Sequence, residues 1–291
     1  MANVSFKTKP KSQIWKENFI LPPAYDVKKF EDSLTYEPES GDIFICTYPK
    51  CGTTWAQCIL YLMLNKGEPL KQGTHICSVI PHLEDDGKAA VQNIPKPRII
   101  KTHLPYHMLP MNKNAKYIFI ARNPKDCCVS FYHHTKGFKA YNFADGKFQD
   151  YFELFLSGKV DFNDYFDHLL SYLPHINDPN ILFLLYEEMK SNVRECIRKI
   201  GQFLGGPFSE SSENPDILEK IVQNCEFKTM KATPSLWSNK RVEGSTGFIR
   251  KGEIGDWRNH FTEEQTRKMD EKFKAKFGGT EAEHFWKEYD C

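Results

Sequence analysis

The sequence predicts an α/β fold, in which a central parallel sheet is flanked by helices. Four apolar runs of strand length recur along the chain, and an amphipathic segment follows each of them. The first run enters a glycine-containing loop and then a helix, which together form a P-loop-like phosphate-binding strand, loop and helix. At 291 residues the chain can bury one large core, so we expect a single domain over residues 1–291. Residues 1–40, which contain Pro22, Pro23 and Pro38, are expected to form an irregular segment packed on that domain.

The first strand and its loop predict an anion site. An apolar run at Ile43–Cys46 is followed by TYPKCGTTW and then by a periodic apolar helix. Backbone N–H groups of Gly52, Thr53 and Thr54 would face the anion at the helix N-terminus, and Lys50 would add a mobile cation. Since the lysine precedes the glycine and no residue is placed as the usual Mg²⁺ ligand, the anion is expected not to be a metal-bridged triphosphate. An ordinary β-to-α turn with an exposed lysine is the alternative interpretation.

The second strand, Arg98–Lys101, runs directly into the polar turn Thr102–Pro105. Open parallel sheets bind ligands at the carboxyl ends of their strands, so Lys101 and His103 are expected near the phosphate loop. Because an unperturbed imidazole titrates near pH 6.5, His103 is a candidate general base for an acceptor hydroxyl or amine. A hydrogen-bonded turn histidine without catalytic function is the alternative.

The third strand, Lys116–Arg122, delivers an arginine to the same edge of the sheet. A helix follows, with Asn123 as its cap and Ser130 two turns along it. The guanidinium of Arg122 and the hydroxyl of Ser130 are predicted to hold a second phosphate, because the planar arginine fork suits phosphate oxygens. A solvated arginine and an ordinary helix serine remain the alternative.

The fourth strand, Asn180–Tyr186, ends on an aromatic residue that could cover a nucleotide base. Further along, Arg250 and Lys251 stand beside Gly252, which predicts a phosphate site if these cations are not simply solvated.

An aromatic loop is the candidate wall of an acceptor pocket. Phe138, Tyr141 and Phe143 lie in it, and Phe248 lies near the basic pair. Such residues either contact a small apolar acceptor or anchor the loop by burial, and the sequence leaves both readings open.

Composition excludes several classes of protein. Thirty-nine Lys and Arg against thirty-eight Asp and Glu give a net charge of +1, so we expect no nucleic-acid partner and no membrane partner. No apolar run is long enough for a signal peptide or a bilayer span. Nine cysteines without a CxxC pair fit a reducing cytoplasm, and ten histidines without metal-ligand spacing predict no metal site.

From Trp15 onwards the chain resembles the cytosolic sulfotransferases. The resemblance rests on the order and approximate spacing of six motifs, namely TYPKCGTTW, KTHLP, ARNPKDCCVS, YEEMK, FKTMK and FIRKG. It implies transfer of a sulfuryl group from 3′-phosphoadenosine 5′-phosphosulfate (PAPS) to a small, largely apolar acceptor, with adenosine 3′,5′-bisphosphate (PAP) as product. A phenol or an aromatic monoamine is the first expectation for the acceptor, and a steroid or another alcohol remains open.

The resemblance also implies roles for individual residues. His103 would be the base, and Lys50 and Lys101 would assist the transfer. For the phosphosulfate, the implied PAPS contacts are Lys50, Gly52, Thr53 and Thr54, and for the 3′-phosphate they are Arg122, Ser130, Arg250, Lys251 and Gly252. Trp55, Tyr186, Phe227 and Met230 would lie around the adenine. Cys51 and Cys225 are also expected to bind the co-substrate.

The sequence departs from the family pattern in three places. Cys51 replaces a serine that the family links to control of the catalytic lysine, and a thiol is a poorer hydrogen-bond partner. Cys225 replaces a nucleotide-contacting threonine. A homodimer stays open, but the family's dimer segment is matched only at Thr262, with Arg258, Glu263 and Arg267 at the other positions.

Two other functions compete with sulfuryl transfer. A small-molecule kinase would share the strand, loop and helix, but it needs a Ser/Thr magnesium ligand after Gly-Lys, which is absent. A non-catalytic binder of small hydrophobic hormones or phenols would use the aromatic loop and would not need His103.

Overall fold

The protein was analysed as a computed structural model that describes residues 8–238 and 241–289. Residues 1–7 of the predicted N-terminal segment therefore lie outside the described part of the chain. The strands are β1 Gln13–Trp15, β2 Phe19–Leu21, β3 Asp42–Thr47, β4 Arg98–Thr102, β5 Lys116–Ala121 and β6 Ile181–Leu185.

The central sheet is parallel, with the strand order β4-β3-β5-β6. The predicted α/β fold is thus confirmed, and each of the four predicted strands is present to within about one residue. The chain leaves β3 toward β4 on one side of the sheet, and it leaves β5 toward β6 on the other side. The strand order therefore reverses between β3 and β5, and open α/β sheets bind ligands at such a point.

Helices and short turns cover both faces of this sheet. The α-helices are α1 Val27–Ser33, α2 Thr53–Leu64, α3 Leu83–Asp86, α4 Lys88–Gln92, α5 Pro124–Gly137, α6 Phe148–Leu156, α7 Tyr165–Tyr172, α8 Tyr186–Ser191, α9 Val193–Leu204, α10 Gly206–Glu213, α11 Pro215–Asn224, α12 Phe227–Ala232 and α13 Glu263–Phe277. Single 3₁₀ turns occur at Ile76–Ser78, Tyr106–Met108, Lys139–Tyr141, Leu173–His175, Pro234–Leu236, Asp256–Asn259, Glu281–His284 and Lys287–Tyr289. In the described ranges, no helix combines the length and the apolar character that a bilayer span requires.

Alternating side chains on the strands fill two separate cores. Phe44 and Phe119 point into the core on one face of the sheet, whereas Ile45 and Ile118 point into the core on the other. This period of two, with both faces apolar, is typical of a parallel sheet covered by helices on each side. The polar strand ends are then left at one edge of the sheet.

The N-terminal segment is more regular than the sequence analysis expected. β1 and β2 form an antiparallel pair, and Asp26 caps helix α1 by accepting hydrogen bonds from the N–H groups of Lys28 and Lys29. Leu21 and Phe30 are fully buried in a small core of their own. The prediction of an irregular segment was therefore wrong for residues 13–33, because strands of three residues carry too little periodicity to be recognised.

Candidate active site

A cavity of about 370 Å³ opens at the carboxyl ends of the four parallel strands. Nearly all of the sequence-predicted site residues line it, although they are spread over some 200 positions of the chain. Those lining it are Lys50, Gly52, Thr53, Thr54, Trp55, Lys101, His103, Arg122, Ser130, Phe138, Tyr141, Tyr186, Cys225, Phe227, Met230, Phe248, Arg250, Lys251 and Gly252.

Cys51 and Phe143 do not line the cavity. The thiol of Cys51 is fully buried and points to the Pro49 carbonyl and to the Cys127 sulfur, each 3.9 Å from its Sγ. The Phe143 ring is buried against Gly146 and lies 6.1 Å from the Tyr151 ring. Both side chains are taken up by the core, so the predicted acceptor contact of the Phe143 ring was wrong. The predicted PAPS contact of Cys51 stays a prediction, because the position of its thiol does not test a contact through the loop backbone.

The phosphate loop has the backbone geometry of an anion trap. Gly52 adopts φ +96° and is the N-cap of helix α2, to which it offers no side-chain hydrogen bond. The N–H groups of the first helical turn are therefore left for a ligand. A Cβ on Gly52 would stand 2.9 Å from Cδ2 of Tyr186, so glycine is needed both for φ and for space.

Lys50 is a buried cation among other cations. Its Nζ lies 3.4 Å from Nδ1 of His134 and 4.3 Å from the centre of the Phe248 ring. Burial, and then the charges of Arg241, Lys101 and Arg122, lower the pKa of Lys50 to about 7. A site that disfavours its own lysine charge in this way favours a bound anion.

This pKa predicts a pH dependence of anion binding. Lys50 is largely neutral above pH 7 in the free protein, and a bound PAP would raise its pKa, so binding takes up a proton. We expect the affinity for PAP to fall between pH 7.5 and 9, by at most about tenfold per pH unit. Below pH 7, where Lys50 is already protonated, its titration should cause little change in the affinity with pH. Titration calorimetry measures this slope. In the Lys50→Met variant, the change of PAP affinity with pH should become smaller. If it were as large as in the wild type, Lys50 would not be the group that takes up the proton.

Arg122 is held rigidly at the end of β5. Its Nη1 donates to the Lys50 carbonyl at 3.2 Å, and its guanidinium stacks 4.3 Å from the centre of the Tyr186 ring. The Nε of Arg122 is buried and has no partner within the described chain. Such a donor is costly unless a ligand satisfies it, so the arginine is suited to a phosphate.

Asp256 organises the basic segment that follows Phe248. Its carboxylate binds the guanidinium of Arg250 at 2.7 Å and the ammonium of Lys251 at 2.6 Å. Hydrogen bonds from Lys251, Asn259 and Arg250 hold the pKa of Asp256 well below its usual range, although burial opposes them. Asp256 was not predicted as part of the site, because its only signal in the sequence is an acidic residue shortly after a basic pair.

Aromatic side chains form the walls between these cationic groups. Trp55 donates from Nε1 to the Cys225 carbonyl at 2.9 Å and meets the Tyr186 ring edge-on at 5.8 Å. Phe227 packs against Gly252, where a Cβ would lie 2.9 Å from its ring. These flat apolar surfaces can hold a purine between two phosphate sites.

His103 is fixed in a single orientation. Its Nδ1 lies 2.8 Å from the Thr47 carbonyl oxygen, and its backbone N–H donates to the carboxylate of Glu84. Since a carbonyl can only accept, Nδ1 carries the proton and Nε2 is left as a proton acceptor. Burial, followed by the charges of Lys101 and His82, holds the pKa of His103 well below its usual value. The imidazole is therefore neutral at physiological pH.

Residues that the sequence analysis did not single out complete the side of the cavity near His103. Tyr25, from the N-terminal segment, places its hydroxyl 3.2 Å from Nδ1 of His82, and the His82 ring lies 5.0 Å from that of His103. Asp161 and Phe162 also line the cavity, and the Phe162 ring lies 5.3 Å from the ring of His103. Their sequence context carried no motif, so only the fold could reveal them.

Comparisons with known proteins agree on one family. A family model described as the sulfotransferase domain matches residues 40–281. Sulfotransferase 1C2 of Homo sapiens is 37% identical over 280 residues, which cover 91% of this chain and 92% of that protein. Amine sulfotransferase of Oryctolagus cuniculus is 34% identical over 273 residues, covering 90% and 89%. A crystal structure of mouse sulfotransferase SULT7A1 complexed with PAP superposes with a TM-score of 0.80, at 29% identity and with 96% and 98% coverage.

The α/β fold carries a strand, loop and helix with the geometry of an anion site at the rim of its cavity. The chain belongs to the sulfotransferase family, as its motifs suggested. It is an enzyme that uses PAPS as co-substrate and acts on small molecules. Among residues 8–238 and 241–289, no group of three or more His, Cys, Asp or Glu side chains is arranged to hold a metal ion.

Proposed function

We propose that this enzyme transfers a sulfuryl group from PAPS to the hydroxyl, or amine, of a small and largely apolar acceptor, with His103 as general base. The observation that carries the proposal is the fixed tautomer of His103, which leaves Nε2 free to accept a proton in the cavity that also contains Lys50 and the phosphate loop. The buried Nε of Arg122, which has no hydrogen-bond partner among the described residues, supports an anionic co-substrate in this cavity.

The cavity offers three groups of contacts for PAPS. Lys50 and the N–H groups of Gly52, Thr53 and Thr54 would hold the phosphosulfate. The adenine would lie between the rings of the aromatic wall, and Cys225 would act through its carbonyl by fixing Trp55. The 3′-phosphate would be bound by Arg122, Ser130, Arg250, Lys251 and Gly252.

In the transfer step, Nε2 of His103 takes the proton of the acceptor hydroxyl while the acceptor oxygen forms a bond to sulfur. The bond between sulfur and the bridging phosphate oxygen breaks, and its electron pair leaves with PAP. Lys50 and the loop N–H groups stabilise the negative charge that grows on that oxygen. Lys101, near the end of β4, lines the same cavity and would orient the acceptor and the sulfuryl group.

The acceptor side is apolar and aromatic. Phe138, Tyr141, Phe162 and Phe248 line it, which supports a phenol or an aromatic monoamine as the acceptor. The relative named amine sulfotransferase is consistent with such acceptors.

A thermal shift experiment tests the nucleotide assignment. PAP at about 100 times its dissociation constant should stabilise the fold by about 2.7 kcal/mol and raise the melting temperature, with or without Mg²⁺. ATP with Mg²⁺ should raise it much less. Stabilisation by ATP with Mg²⁺ alone would contradict the proposal.

A further inference from the structure

A buried carboxyl group on the acceptor side has no cationic partner. Asp161 is 5% exposed and lines the cavity, and its Oδ2 accepts a hydrogen bond from the Tyr141 hydroxyl at 2.6 Å. Within residues 8–238 and 241–289, no ion pair is formed by this carboxyl group, although the other half of the cavity is rich in cations. Burial raises the pKa of Asp161 to about 7, and only the Tyr141 hydroxyl opposes that shift.

A buried carboxylate is unfavourable unless a cation or several donors compensate it. The single hydroxyl of Tyr141 would be satisfied equally well by an amide oxygen, so this hydrogen bond alone does not require an aspartate. The carboxylate would gain most from a positively charged group that enters the cavity.

The residue that follows Asp161 lies close to the base. The adjacent residue, Phe162, has its ring 5.3 Å from the ring of His103. A molecule whose aromatic ring lies against Phe162 would therefore lie beside His103, in the cavity that Asp161 also lines. Asp85, which is exposed at the same cavity, adds a second negative charge without an ion pair inside the described ranges, and it favours the entry of a cation.

We propose that Asp161 binds the ammonium group of an acceptor that carries both a protonated amine and an aromatic hydroxyl. This inference rests on the proposed function, and it deepens it by naming the acceptor class and a residue that selects it. The protonated amine has no lone pair, so the new bond forms between sulfur and the hydroxyl oxygen. The hydroxyl proton passes to Nε2 of His103, and the electron pair of the broken S–O bond leaves with PAP.

The test compares two phenols of nearly equal shape, 4-(2-aminoethyl)phenol and 4-propylphenol. In the wild type, we expect kcat/KM to be higher for the amine. In Asp161→Asn, which keeps an oxygen acceptor for the Tyr141 hydroxyl, the ratio of the two kcat/KM values should fall by about 10- to 100-fold in favour of the neutral phenol, mainly through KM.

Two further variants separate charge from packing. Tyr141→Phe removes the hydrogen bond and keeps the carboxylate, so it should retain the preference for the amine. Asp85→Asn removes an exposed charge and should change the ratio by less than about threefold. Binding of PAP, followed by thermal shift, reports whether each variant is folded.

Three outcomes would overturn the inference. One is an equal loss for both phenols in Asp161→Asn, which would make the residue structural. Another is a wild-type enzyme that prefers 4-propylphenol, which needs no variant to observe. The third is transfer to neither phenol, which would also overturn the phenol class of acceptor in the proposed function. Transfer to 4-propylphenol alone would overturn only the role of Asp161 and would leave the proposed function intact.

Discussion

We expect the kcat of the His103→Asn variant to fall by about 10²- to 10⁴-fold, while its affinity for PAP stays close to that of the wild type. Asparagine can still donate to the Thr47 carbonyl, so the local hydrogen bond of Nδ1 is largely kept. What is lost is the proton acceptor at Nε2. Steady-state kinetics with a saturating phenol, together with calorimetry for PAP, measure the two effects separately.

His75 provides the matched control for this variant. It lines the same cavity, but its Nδ1 accepts a hydrogen bond from the Cys77 N–H, a capping function that asparagine also performs. His75→Asn should therefore keep most of the activity. If His103→Asn retained more than about a tenth of the wild-type kcat, His103 would not be the base.

The Lys50→Met variant should lose about 10²- to 10³-fold in kcat, because fixed charges at a leaving group contribute that much in comparable sites. Lys50 has φ +73°, and methionine meets the same backbone constraint as lysine, so the change removes charge without altering backbone strain. The effect should appear with saturating PAPS, in kcat more than in KM. Rapid-quench measurement of a single turnover reports it directly.

Lys190 is a suitable control cation. It lines the cavity with its Nζ 5.6 Å from the centre of the Trp55 ring, on the side assigned to adenine. Lys190→Met should affect PAPS binding at most, with little change in the single-turnover rate. Equal rate losses in the two variants would show that general positive charge, rather than the position of Lys50, drives the transfer.

The parts of the site that follow strands could be predicted from sequence. The loop from Tyr48 to Thr54, His103 and Arg122 each stand directly after an apolar run, and parallel strands bring their carboxyl ends together. The capping box of Thr262 and Gln265, at the start of helix α13, is a local signal of the same kind. These signals are local, so a single sequence contains them.

The supporting contacts could not be predicted, because they join residues far apart in the chain. Glu84 accepts the backbone N–H of His103, and Asp126 accepts the backbone N–H groups of Gly255 and Trp257, about 130 positions away. No periodicity or motif announces such a pair. Side-chain direction was equally hidden, as Phe143 shows, since an aromatic residue in a loop can face the core or the cavity.

The most direct test of metal-independent sulfuryl transfer with His103 as base uses PAPS with a labelled sulfuryl group. Transfer of the label to a phenol by the wild-type enzyme is measured in the presence of EDTA. The account predicts stoichiometric formation of the phenyl sulfate and PAP, with the rate lowered in His103→Asn to the extent given above. Binding of the phenol without any transfer, or transfer that His103→Asn leaves unchanged, would contradict it.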